Sequence, residues 1–276
     1  MKKLRKPNID VCDVIITCVS NYRDKDKAGR FRSSLQEICD YSETFDEKMK
    51  QKVVYEIERH NLVRDVTKDE MVSLYERKFV KDGQPGREFY DKIISSSNGK
   101  CPICGIRPVT TLDHFLVKSI YPALAVTPTN LVPMCHDCNK AKGNPVFSCY
   151  ENTHLHPYYD SLDGFVWLEA DLSFDKEIII LYKVRECPEW SDSYYRKVKN
   201  HFELFKIRTI LSLQAVDEIK SVKKMLSNLK NKAGNDTVYE HLEDLYLSCE
   251  AESLNGWKTA LYRNICKNKW FVEEYL

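Results

Sequence analysis

Two Cys-x-x-Cys pairs, Cys101/Cys104 and Cys135/Cys138, bracket one stretch of the chain, and a shared metal ion would tie its ends together. Each pair sets two thiolates on a tight turn, where they fit adjacent corners of a Zn²⁺ tetrahedron. Four sulfurs fill the shell, so such a zinc is structural and activates no water. Closing a loop of about 30 residues costs on the order of 3 kcal/mol in chain entropy. Structural zinc binding supplies roughly 10–16 kcal/mol in zinc-finger peptides, so binding outweighs closure. Redox chemistry or chance pairing is the alternative, but two pairs are far more specific than one, and Pro102 and Gly105 suit a metal-binding turn. His136 lies between two ligands that already complete the shell, and is read as exposed and phosphate-facing.

The rest of the chain bounds the class. With 276 residues and 43% apolar content it can bury a large core, as one large domain or two modest ones. No apolar run reaches the ~18 residues that span a bilayer. The charged start, Met1 to Pro7, lacks a following apolar segment, so secretion is not expected and the compartment is read as cytoplasmic. Of the 11 cysteines, the seven outside the clamp (Cys12, Cys18, Cys39, Cys149, Cys187, Cys249, Cys266) are expected as free thiols, most of them small buried hydrophobes. A net charge of +1 excludes a general polycation. The charge is uneven: Arg196 to Lys232 holds ten Lys or Arg against three acids, and Asp236 to Glu252 holds six acids with no Lys or Arg. These blocks read either as a phosphate-binding face beside a partner-binding face, or as two solvated helices.

Hydrophobic spacing predicts helices through the first ~98 residues. Val11, Val14, Ile15, Cys18 and Val19 share one face, as do Phe31, Leu35 and Ile38, then Met49, Val53 and Ile57. Thr67-x-x-Glu70 predicts a capping box, Gly83 to Gly86 a break, and Arg87 to Ser97 a helix. Beyond the cysteines, Gly164–Ala170 and Glu177–Val184 read as a β-hairpin turning at Ser173 to Lys176, with helices from about Trp190 and punctuation at Gly234-Asn235-Asp236 and Asn255-Gly256. The expected class is α+β, predominantly helical. Its segments are a helical region (1–98), a zinc-bound module (99–160), a β-hairpin (161–186) and a helical region (187–276).

Inside the clamp stand Leu112-Asp113-His114-Phe115, Thr129-Asn130-Leu131 and Cys138-Asn139-Lys140-Ala141-Lys142-Gly143-Asn144. On these residues the segment resembles the HNH, or ββα-metal, endonuclease superfamily in its zinc-bearing form. The resemblance covers about Lys100 to Asn144. It implies a first strand carrying the Asp-His pair, an Asn in the loop and a helix presenting the last ligand, here Asn139 where many relatives carry His. It further implies that Asn130 braces the loop through backbone hydrogen bonds.

The chemistry asks for the same residue types. Phosphodiester hydrolysis needs a water, a base for its proton, and positive charge for the developing phosphorane-like state. His114 is the expected general base, with an ordinary imidazole pKa near 6.5 that makes the rate climb between about pH 6 and 7.5. Asp113 and Asn139 are the expected ligands of one Mg²⁺ or Mn²⁺, and Lys140 and Lys142 are placed to meet phosphate. Adjacent strand residues point to opposite faces, so a bend or bulge is needed to bring Asp113 and His114 to one site. The downstream His154-Leu155-His156-Pro157-Tyr158-Tyr159-Asp160 reads as packing or substrate contact rather than a second metal site, and Trp167, Tyr194 and Tyr195 as core.

The function expected is a one-metal HNH endonuclease leaving 5′-phosphate and 3′-hydroxyl ends on DNA. Low net charge supplies little non-specific attraction to DNA, which points to gating by a partner. The His-Pro-Tyr-Tyr-Asp layout is similar to nucleases of bacterial anti-phage systems of the Septu type, which implies a partner ATPase or other defence-system subunit. The alternatives are a catalytically inactive, zinc-stabilised nucleic-acid-binding or adaptor module, and an interaction subunit docking through the acidic segment. Asp113, His114 and Asn139 separate them, because binding does not need all three.

Overall fold

The computed structural model of the protein describes residues 1–175 and 177–276, with Asp175 described in its backbone only. The class is α+β: helices predominate, and the strands form three two-stranded antiparallel pairs among the described residues. The chain divides into two compact units, Met1–Ser161 and Leu162–Leu276.

In the first unit, Asp10 opens α1 (Val11–Val19) and Asp24 opens α2 (Lys25–Ser33), each carboxylate accepting from a first-turn N–H. Helix α3 (Leu35–Lys50) follows, then a short hairpin of β1 (Leu62–Val63) and β2 (Val66–Thr67). Thr67 and Glu70 form the reciprocal capping box that starts α4 (Lys68–Leu74). That helix runs into a π-helical turn, Tyr75–Phe79, which no periodicity announced. The chain breaks at Gly83 to Gly86 and resumes as α5 (Arg87–Ser95). Gly86 is required by close approach: a Cβ there would lie 2.4 Å from Cys18 Sγ and 2.7 Å from the Lys78 carbonyl.

Strand β3 (Thr111–His114) pairs antiparallel with β4 (Leu131–Met134), and α6 (His136–Lys142) follows directly. One core joins these strands to the helices before them: Val14, Ile15, Phe31, Ile38, Met71, Leu74, Phe79 and Ile93 cluster with Leu112, Val126 and Leu131. The strand pair is thus backed by a helical layer, which fixes its position.

Two of the scattered cysteines are not free thiols. Cys12 on α1 and Cys39 on α3 form a disulfide, because the two helices lie side by side with those Cα atoms 6.0 Å apart. Cys18 and Cys187 are buried as expected, whereas Cys149, Cys249 and Cys266 are half-buried.

The second unit opens with β5 (Leu168–Asp175) and β6 (Glu177–Val184). The hairpin starts later than the sequence suggests, and its first strand runs through Ser173 to Asp175. Lys176, the last residue of the expected turn, lies outside the described residues. Ser191 caps α7 (Asp192–Leu204). Helix α8 (Ile207–Glu252) is broken at Gly234, where φ 86° and ψ 178° leave helical space, and Gly256 caps α9 (Trp257–Ile265). Ile178, Ile180 and Tyr182 face inward from β6, and Tyr182 donates its hydroxyl to the Trp257 carbonyl at 2.8 Å.

Candidate functional site

Cys101, Cys104, Cys135 and Cys138 are all buried, with their sulfurs within 4.8 Å of one another. A tetrahedral zinc with Zn–S near 2.3 Å sets sulfurs about 3.8 Å apart, so the group fits such an ion. Local backbone explains the convergence. The Gly105 N–H donates to Cys101 O and the Cys101 N–H to Arg107 O, both at 2.8 Å, which folds the first pair into a knuckle. Cys135 is the N-cap of α6, its sulfur 3.4 Å from the Cys138 N–H, which brings the second pair together at a helix start. Hydrogen bonding among the sulfurs raises the Cys101 thiol to about 12 and holds Cys104 far below the thiol range, helped by the N–H groups of Arg107 and Ile106.

Between the pairs, Asn130 is fully buried and spent on backbone. Its Oδ1 accepts from the Leu116 N–H at 2.8 Å, and its Nδ2 donates to Leu116 O at 3.0 Å and Leu124 O at 3.1 Å. These bonds fasten the 115–130 loop against the end of β3. The loop in turn presents Ala125 O, 2.8 Å from His114 Nε2. A carbonyl only accepts, so Nε2 carries the proton and the neutral ring keeps its acceptor at Nδ1. Tyr75 stands edge-on to the same ring, centroids 4.4 Å apart, and anchors its hydroxyl on Leu112 O at 3.1 Å. Burial pushes the His114 pKa down to about 3, with the positive charges of Lys118 and Lys142 adding to the shift and the Ala125 bond opposing it. The ordinary imidazole value expected from sequence does not hold, because the ring is 5% exposed.

The bend that would bring Asp113 and His114 to one face is not present. The ladder is continuous from Thr111↔Met134 to His114↔Leu131, so the two side chains leave β3 on opposite faces. Asp113 faces α6. Its Oδ2 lies 2.7 Å from Lys142 Nζ, in an ion pair whose side chains are 16% and 3% exposed respectively. The geometry falls outside a hydrogen bond, which leaves this buried carboxylate oxygen without one. Lys142 therefore does not stand in solvent beside Lys140, as a pair of phosphate contacts would. Asn139, half-buried and three residues before Lys142, lies on the same side of α6, whereas His136 and Lys140 are exposed.

The stretch His154 to Asp160 packs against this module. Asp160 accepts from the His156 N–H at 2.8 Å, Tyr158 donates to Leu131 O at 3.0 Å, and Tyr159 donates to Asp46 at 2.5 Å. The His156 ring lies 4.6 Å from that of Phe115. Trp167 is buried as core, while Tyr194 and Tyr195 are half-buried. Sequence reasoning missed Tyr75 and the Ala125 carbonyl. The first stands in the helix that the Thr67–Glu70 box opens, where spacing marks it only as core, and the second is backbone, which carries no residue signal at all.

What the fold and site define is an α+β protein in which four buried cysteines that could hold a metal ion bracket the β3–β4 pair. Over 280 residues, 95% of this chain and 90% of the other, it is 28% identical to protein ea31 of Escherichia phage lambda. No family model matches the chain, and no solved structure does.

Proposed function

We propose that the protein is a metal-dependent HNH endonuclease that hydrolyses DNA phosphodiester bonds. The observation that carries this reading is the fixed tautomer of His114: Nε2 is committed to Ala125 O, which leaves Nδ1 as the acceptor for a water proton. Asp113 supplies the second requirement, a carboxylate whose Oδ2 is shielded from water and met only by Lys142 Nζ, at 2.7 Å and off hydrogen-bonding geometry. A hard divalent cation suits that oxygen and the Asn139 amide, and these two residues would hold Mg²⁺ or Mn²⁺. Bound there, the ion supplies positive charge to the phosphate and the leaving oxygen.

The chain's own residues then divide the work. Asp113 and His114 leave β3 on opposite faces, so this reading requires the scissile phosphodiester to lie across the strand end, where His114 is the last residue. Nδ1 takes the proton of the attacking water, and the products carry 5′-phosphate and 3′-hydroxyl ends. Asn130 holds the loop that orients the imidazole. Lys140 and His136 line the exposed side of α6 and contact the DNA backbone. The four-cysteine site takes structural zinc and no part in the reaction. The net charge of +1 favours activity gated by a partner. The resemblance of the His-Pro-Tyr-Tyr-Asp layout to Septu-type nucleases makes that partner an ATPase or another defence subunit, which would place the protein in the cytoplasm.

Two observations favour the second reading, an inactive zinc-stabilised nucleic-acid-binding or adaptor module: Asp113 already has a counter-charge in Lys142, and burial holds the His114 pKa at about 3, which weakens it as a base at neutral pH. Cleavage products decide between them. End-labelled duplex incubated with Mg²⁺ or Mn²⁺, with and without the protein's genomic neighbours, is expected to give ligatable 5′-phosphate ends, and Asp113→Asn is expected to give none. Binding without cuts under every condition contradicts the nuclease reading.

A further inference from the structure

We propose that Lys142 is a built-in counter-cation for Asp113, which holds the carboxylate until a divalent ion displaces it, so that metal entry and exposure of the Lys142 ammonium are one event. The proposal rests on the nuclease reading for the role of Asp113.

Burial is the first argument. A lysine side chain at 3% exposure is unusual, because an ammonium gives up its hydration unless a partner replaces it. Here the partners are one carboxylate oxygen at 2.7 Å and the Gly143 carbonyl at 3.5 Å. The Asp113 side of the pair is equally incomplete, since Oδ2 lies off hydrogen-bonding geometry and is shielded from water. The arrangement neutralises charge without saturating the oxygen, which is the condition under which a second cation can compete for it.

Position is the second argument. Lys142 is the last residue of α6, and Gly143 after it takes φ 60° and ψ −139°, so the lysine stem starts at a helix end with exposed Gly143 and Asn144 beyond. Four flexible methylenes let the ammonium move to solvent without unwinding the helix. A divalent ion on the same Oδ2 would stand within a few ångströms of the ammonium, and repulsion in so buried a place sets the two cations in competition. The competition gives a threshold: metal binding at Oδ2 carries the cost of displacing Lys142. A phosphodiester that attracts the freed ammonium lowers that cost, so DNA and metal bind cooperatively.

The test is Mn²⁺ binding to the full-length protein, read as loss of the free Mn²⁺ electron-resonance signal, for wild type, Lys142→Met, Lys142→Arg and Asp113→Asn. Met keeps the stem and removes the charge, and is expected to bind Mn²⁺ about tenfold more tightly than wild type, a change of about 1.4 kcal/mol. Arg keeps the charge and is expected to show no gain, and Asp113→Asn to lose the site. In parallel, pulse labelling of wild type with an amine-reactive acetylating reagent, followed by peptide mass spectrometry, is expected to leave Lys142 unmodified without Mn²⁺ and to label it with Mn²⁺. If wild type cuts DNA while Lys142→Met binds Mn²⁺ no more tightly, or Lys142 labels equally with and without the ion, the counter-cation is overturned and the nuclease stands. If no variant binds Mn²⁺ and wild type does not cut, the nuclease reading fails and this proposal with it. Should Lys142→Met not fold, the labelling of wild type decides alone.

Discussion

His114 is neutral well below physiological pH because the fold surrounds it, and two consequences follow at the scale of this residue. First, with its pKa lowered to about 3, the ring is in its base form throughout the neutral range. The cleavage rate is therefore expected to be flat between pH 6 and 7.5, where an ordinary imidazole would make it climb, and a pH–rate profile checks this. Second, the folded value lies below the unfolded one of 6.5, so the fold binds fewer protons there than the unfolded chain. This contribution to stability is complete above about pH 6.5 and is lost as pH falls through the folded pKa of about 3. Urea midpoints measured from pH 7 to 4 are expected to fall less steeply for His114→Gln than for wild type. Tyr75 belongs to the same environment. Tyr75→Phe removes the hydroxyl bond to Leu112 O and keeps the ring, for an expected loss of about 1 kcal/mol in urea unfolding.

At the scale of elements, the loop between β3 and β4 depends on one side chain. Asn130→Ala removes three buried hydrogen bonds and strands the Leu116 N–H, and is expected to destabilise the protein by about 2–4 kcal/mol in urea unfolding. Gly234 breaks α8 at a backbone geometry open to glycine almost alone, so Gly234→Ala is expected to cost about 1–3 kcal/mol by the same measurement, although nothing lies within 4 Å of a Cβ there. These elements also show what was legible beforehand. The Thr67–Glu70 box, the Gly234 break and the approach of the four cysteines follow from local rules: a cap needs its N–H partner, a left-handed φ needs glycine, and ligands in pairs need turns. The burial of Lys142, the disulfide between α1 and α3, and the π-helical turn at Tyr75 depend on which helices lie against which. Such contacts are set by tertiary packing, and a single sequence carries no spacing that encodes them.

On the scale of the whole molecule, the first unit builds its core from helices on both sides of Gly83 and from the strand pair, with the four clustered cysteines bracketing the loop that carries the polar residues. Metal analysis of the purified protein is expected to find one tightly held zinc per chain, and Cys101→Ser to lose both the zinc and the cooperative unfolding of this unit. The central claim is that the clamp holds a hydrolytic site in register, with His114 as its base. The most direct measurement is cleavage of supercoiled plasmid by wild type and by His114→Ala, each folded by circular dichroism and loaded with zinc, in Mg²⁺ or Mn²⁺ with the genomic neighbours present. Nicked and linear products from wild type and none from His114→Ala are predicted; equal cutting by both proteins would contradict the account.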